Sequence, residues 1–247
     1  RTEQADRFKE LNLTDAQKTE IKKINEDFSE IEKQRIVLKT LTMLTYINLY
    51  YDKIDKIKSK ISYHRPLMLT LVNSVNTEES DLEMYFKEIA KVATGKVSKK
   101  IFEEIKAEII EEFGERKHFL FEEDTIINFD SEKLSKIEIS DILKKVFNAK
   151  THSEIEVIKI PKNNQELAFK LKSSDTPFAL AKFGDISNWL KEKLSGYEIN
   201  IQWDDESIFK KLNEEDSSIN ILMGSRSFYE CWDSNRPNII LYINIGV

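Results

Sequence analysis

Two polar turns carry the residue types best suited to hold phosphate. From Ile219 the chain reads INILMGSRSFYECWDSNRPNIILYINIGV. Two apolar, β-branched runs, Ile219–Met223 and Asn238–Ile245, flank a loop that holds Ser225, Arg226, Ser227, Glu230, Asp233, Ser234, Asn235 and Arg236. A second turn, Asn73-Ser74-Val75-Asn76, follows the apolar run Leu67–Asn73. Small hydroxyl and amide side chains at the end of a buried strand, beside free main-chain N–H groups, grip phosphate oxygens without reading bases. Asn73, Ser74, Ser225 and Arg226 are therefore candidate nucleic-acid backbone contacts. Arg236 can pair with a phosphate, or with a carboxylate such as Asp233 or Glu230. The plainer alternative is a loop that only joins two buried strands, with Arg236 in a surface ion pair.

Other apparent signals carry less. Thr94-Gly95-Lys96 contains a Gly-Lys pair, but a phosphate-binding loop needs glycine five residues before Gly95, and Ala90 stands there. Trp203-Asp204-Asp205-Glu206-Ser207 has the acids of a Mg²⁺-holding strand end, yet it fits an acid-rich helix start better. His64, His118 and His152 lack ligand spacing with one another or with Cys231, so no metal site is expected. The run Lys96–Lys100 reads as a solvated helix face. No nucleophile–base pair and no nuclease strand–turn–strand stands out, and no catalytic residue is assigned.

The elements that must position the two turns follow from periodicity. The first 65 residues hold no Gly and no Pro, and apolar residues recur at three- and four-residue spacing from Ile21 to Ile61. This predicts a long helical arm or hairpin over residues 1–65, started by a cap near Thr14-Asp15. Its middle, Ile36–Tyr51, is apolar nearly all round and must be buried against another body. After Pro66, strands are predicted at Leu67–Asn73, Ile155–Ile160, Phe178–Lys182, Glu198–Trp203, Ile219–Met223 and Asn238–Ile245, with Leu167–Leu171 as a short edge strand. Helices are predicted from Thr77 to Gly95, over Val97–Phe113, Ser131–Phe147 and Ile186–Leu194, and briefly over Glu206–Leu212. Gly114–Asp130 reads as a connector. Apolar strands separated by helices imply an α/β fold, with a mostly parallel sheet and helices on both faces, preceded by the long helical segment.

The segment Gly224–Asn238 resembles motif V of superfamily 2 helicases and translocases, in the form GSRxFxEGWDSNRPN found in the Res subunits of type III restriction enzymes. Pro66–Leu82 is similar to that family's motif IV, PLMLxLVNSVNTExxDL, which opens the second motor lobe. Phe178–Leu194 resembles the strand–Gly-Asp–helix element that often precedes motif V. The resemblance spans about Pro66 to Val247, with a helical insertion around residues 95–150. It implies a RecA-like second helicase lobe over 66–247, incomplete at its C-terminus. It also implies ATP and Mg in the complete parent, with none held tightly here. DNA, contacted through its backbone, the first motor lobe of the same polypeptide and a methyltransferase modification subunit are the implied partners. Asp233 matches the motif V aspartate that faces the nucleotide, so Cys231, Asp233 and Arg236 are the implied cofactor contacts. Cys231 departs from the family's glycine. A Cβ there disfavours a tight turn, which fits a tolerated substitution better than a reactive thiol.

Composition bounds these expectations. The chain has 247 residues, 40% hydrophobic and 33% charged, with formal net charge −6. Its overall field repels polyanions, so nucleic acid must be met at a local site. One cysteine excludes a disulfide framework and fits a reducing, cytoplasmic setting. No apolar run is long enough for a membrane span. Both ends read as cuts within a longer polypeptide. With neither a phosphate-binding loop nor the arginine of motif VI, the chain by itself is expected to be inactive, because motor ATPases surround the triphosphate with two lobes. Two alternatives share the sequence: a non-restriction superfamily 2 DNA helicase, and a non-catalytic helical interaction module acting through Thr14–Ile61.

Overall fold

The computed structural model describes residues 14–57, 64–72, 81–114, 120–121, 125–126, 129–202, 206–225 and 234–243. The chain enters one helix, α1 (Asp15–Ile57, 43 residues), about 64 Å long at 1.5 Å per residue. Its start is fixed by reciprocal capping. The Gln17 N–H donates to Thr14 Oγ1 at 3.3 Å, and the Thr14 N–H donates to Gln17 Oε1 at 2.9 Å. Strand β1 (Leu67–Val72) follows, then α2 (Asp81–Ala93), which stops at Gly95 with φ +77°, and α3 (Lys99–Gly114). A two-stranded ribbon, β2 (Leu120–Phe121) and β3 (Thr125–Ile126), lies in the predicted connector.

The helix predicted over Ser131–Phe147 is two helices, α4 (Ser131–Ser135) and α5 (Ile139–Lys145). Two contacts stabilise the break. The Glu138 N–H donates to Asp141 Oδ2 at 3.0 Å as α5 begins, and the buried Lys106 ammonium donates to the carbonyls of Ser135 and Ile137. The remaining elements are β4 (Ile155–Lys159), β5 (Glu166–Leu171), β6 (Ala179–Lys182), α6 (Ser187–Glu192), β7 (Glu198–Ile201), β8 (Ile221–Ser225) and β9 (Pro237–Ile243).

Seven strands form one sheet in the order β7-β4-β5-β6-β8-β1-β9. All run the same way except β5, which pairs antiparallel with both β4 and β6. The class is therefore α/β with a mostly parallel sheet. Strand β5 is interior, not the edge strand predicted for Leu167–Leu171.

Continuous burial of β1 puts an apolar row on each face of the sheet. On one face Met68, Val72, Phe169, Ala181, Ile221 and Met223 join the larger core with residues from all six helices. Phe86, Phe169 and Phe183 ring Trp189 there, with centroids 5.6–6.2 Å from it. On the other face Leu67, Leu69, Leu71, Leu180 and Leu222 meet Leu212 and Ile219. Among the described residues this second layer is the segment 206–219 rather than a helix. The helix predicted at Glu206–Leu212 is a run of turns, with Lys211 N–H to Ile208 and Leu212 N–H to Phe209.

Helix α1 belongs to this body. Val37, Leu38, Leu41 and Leu44 lie in the larger core. Arg35 pairs with Glu104 and Glu108, and Lys39 with Glu112, along α3, while Lys91 of α2 reaches Glu30. Among the described residues no helix is long and apolar enough to cross a membrane.

Candidate nucleic-acid interface

Adjacent parallel strands set the site. Strand β1 pairs with β8 in the register Met68↔Ile221 through Val72↔Ser225. Thus β1 and β8 end level with each other, and Ser225 is the last residue of β8. The chain leaves both strands at one rim, where open α/β sheets hold their ligands. Strand β6 ends at the same rim, with Lys182 opposite Gly224. The antiparallel β5 begins there, with Glu166 opposite Lys182.

Of the residues assigned a nucleic-acid or nucleotide contact from sequence, Ser225 and Arg236 are described, and the structure separates them. Ser225 closes β8 at the C-terminal rim. Arg236 precedes β9 at the opposite rim, where its carbonyl accepts from the Leu67 N–H at 3.0 Å. The length of β1, about 17–20 Å, lies between the two rims. Asn73, Ser74, Arg226, Cys231 and Asp233 fall outside the described residues, as do Glu230 and Ser227.

Arg236 is not the surface residue considered above. It is 2% exposed. Nε donates to the Arg65 carbonyl at 2.9 Å, one terminal nitrogen to the Ile219 carbonyl at 2.7 Å, and the other to the Leu212 carbonyl. Each guanidinium nitrogen is thus directed at main chain, tying together the entries to β1, β8 and β9. Burial, and next the nearby Arg65 charge, bring its pKa down to about 10, so it remains a cation at neutral pH. This geometry makes Arg236 a brace and directs none of its nitrogens toward the C-terminal rim.

The rest of that lower rim is closed in the same manner. Asn148, in the left-handed region at φ 55°, donates to the carbonyls of Pro177 and Ser218 at 2.9 Å. Asn tolerates this conformation because its short amide bonds locally. Asn220 Nδ2 donates to the Val146 carbonyl at 2.9 Å and to Asn148 Oδ1 at 3.0 Å.

The C-terminal rim holds a charged pair that sequence did not suggest. Glu166, 1% exposed, accepts from Ser207 Oγ at 2.7 Å, the Phe209 N–H at 3.2 Å and Lys182 Nζ at 3.2 Å. Lys182 Nζ also lies 4.8 Å from the centroid of the Phe209 ring. Burial pushes the Glu166 carboxyl up. The Ser207 hydroxyl, the Phe209 N–H, Asn163 and the Lys182 charge together outweigh that and hold it below its ordinary value. The available signal was a charge at each end of short apolar strands, Glu166 opening β5 and Lys182 closing β6, but nothing local shows that the two meet. Among the described residues, no three His, Cys, Asp or Glu side chains gather as a metal-ion site.

Compared with family models, curated proteins and solved structures, the chain matches none.

Proposed function

We propose that this chain is the second motor lobe of an ATP-dependent DNA translocase, of the kind joined to an endonuclease in type III restriction enzymes. Its C-terminal strand rim contacts the DNA backbone. One observation carries the proposal: Val72 and Ser225 are register partners on adjacent parallel strands. The two turns resembling motifs IV and V therefore leave one rim from neighbouring strands, as two loops sharing one ligand must. In this role Asn73, Ser74, Ser225 and Arg226 meet phosphates, while Cys231 and Asp233 face a nucleotide shared with a first lobe. ATP and Mg, the first lobe and a methyltransferase subunit belong to the complete parent. Arg236 supports the strands that carry these loops.

Fluorescence anisotropy of the chain with DNA oligonucleotides of unrelated sequence tests this. The expected result is binding that is indifferent to sequence and falls steeply with salt. Replacing Ser225→Asp, which puts a negative charge beside the phosphates, should weaken it at least tenfold. Equal binding by the wild type and S225D would contradict the proposal, as would no binding at low salt.

A second reading, a helical interaction module, is favoured by the length of α1. The packing of Val37–Leu44 into the core shows that this part of the helix serves the fold, so partner docking would fall to other positions along it.

A further inference from the structure

We infer that Lys182 is an additional phosphate contact on the same rim, held in reserve by Glu166. This inference rests on the proposed DNA-backbone role of that rim and adds to it a cation from a third strand.

The placement comes first. Lys182 closes β6, and its Cα partner on β8 is Gly224, the residue before Ser225. Neighbouring strands lie about 4.8 Å apart, so Lys182 ends one strand away from β8, on the sheet face it shares with Gly224 and Leu71, the face opposite Val72. On β1 the partner of Gly224 is Leu71. Glycine contributes no side chain between Lys182 and Leu71. The Lys182 side chain is 18% exposed, whereas the Glu166 side chain is 2% exposed. Of the pair, the lysine side chain is the more exposed.

The hydrogen bonding comes second. An ammonium has three donors, and Glu166 takes one of them at 3.2 Å. That bond is one of several that Glu166 accepts. Its carboxylate keeps the Ser207 hydroxyl at 2.7 Å and the Phe209 N–H at 3.2 Å. When a phosphate approaches, Lys182 can turn to it and leave Glu166 hydrogen-bonded. In the absence of phosphate, Glu166 and the Phe209 ring park the ammonium and cancel its charge. The same carboxylate competes with the phosphate for Lys182, so it moderates affinity.

That competition gives a test that misfolding cannot imitate. Glu166→Gln keeps acceptor and shape but removes the competing charge. Binding of unrelated-sequence DNA should tighten roughly threefold near 0.1 M salt, with a salt dependence steeper by about one ion. Lys182→Gln should weaken it by a similar factor, with a slope shallower by about one. Lys172→Gln is the control, because Lys172 follows the last residue of β5 at the opposite rim and pairs with Glu154 and Glu198. It should leave both quantities unchanged. Far-ultraviolet circular dichroism confirms that each variant is folded. Wild-type binding with K182Q unaltered would overturn the assignment of Lys182 and leave the wider proposal standing. Weaker binding by E166Q would overturn the competition, and an effect of K182Q on Mg-ATP but not on DNA would overturn the DNA assignment. No binding by the wild type would overturn both the inference and the proposal it rests on.

Discussion

Val72 and Ser225 are Cα partners at the ends of adjacent parallel strands, whereas Arg236, eleven positions after Ser225 in the sequence, sits at the far rim beneath them. One polar stretch thus serves two purposes. Its first residue lies at the C-terminal rim of the strands, and its last arginine ties the strand entries together.

Arg236→Ala should destabilise the fold by about 3 kcal/mol or more, because three carbonyls, two of them in buried hydrogen bonds, lose a charged donor. Arg236→Lys should recover little, since a single ammonium cannot match a planar fork aimed at three acceptors. Urea unfolding measures both. A loss below about 1 kcal/mol for R236A would show that the three carbonyls find other partners.

Helix α1 should prove integral to the body. Leu41→Ala removes a fully buried side chain from the core shared with the other helices and should cost about 2–5 kcal/mol. Thermal and urea unfolding should remain a single transition. A separate transition for the helix, with the sheet unaffected, would make it a detachable arm.

Gly95 ends α2 at φ +77°, and a Cβ built there would approach the His152 ring at 3.3 Å. Gly95→Ala should therefore cost about 1–2 kcal/mol from backbone strain, with some addition from displacing the ring. An unchanged midpoint in urea would mean that the turn relaxes to another conformation.

Acid should weaken the fold partly through Glu166. Its folded-state pKa lies below the ordinary value of 4.5. The stability it contributes is present above the unfolded value and is lost as pH falls through the folded one. The stability gap between wild type and E166Q should therefore be larger at about pH 7 than at about pH 3. A gap that stays constant across that range would show that the carboxylate's charge does not stabilise the fold.

Much of the architecture was legible because it rests on local signals. The apolar runs around Leu69 and Leu222 had to be buried on both faces, which made them interior strands. Thr14 and Gln17 sit three residues apart and mark where α1 starts. Strand β5 lies inside the sheet, not at its edge, although it carries the charges of Glu166 and Lys170. Those charges are matched only in three dimensions, Glu166 by Lys182 and Lys170 by Glu156 at 3.2 Å. The predicted helix at Glu206–Leu212 fails for a related reason. Glu166 takes the Phe209 N–H and Ser207 Oγ takes the Lys210 N–H, in a segment that otherwise bonds as turns. Arg236 reads from sequence as a phosphate or nucleotide contact, with a surface ion pair as the alternative, because nothing nearby in sequence reveals that the carbonyls of Arg65, Leu212 and Ile219 converge on it. Ser225 was placed by its own strand, but its alignment with Val72 needed the register.

Hydrogen–deuterium exchange with and without an unrelated-sequence DNA oligonucleotide tests the central claim most directly, because it locates the contact along the whole chain. The account predicts slowed exchange in peptides covering 67–80 and 221–233, on the rim where Val72 and Ser225 end their strands. Peptides covering the braced opposite rim, 146–154 and 217–220, should be unchanged. Protection confined to α1, or to that opposite rim, would contradict it.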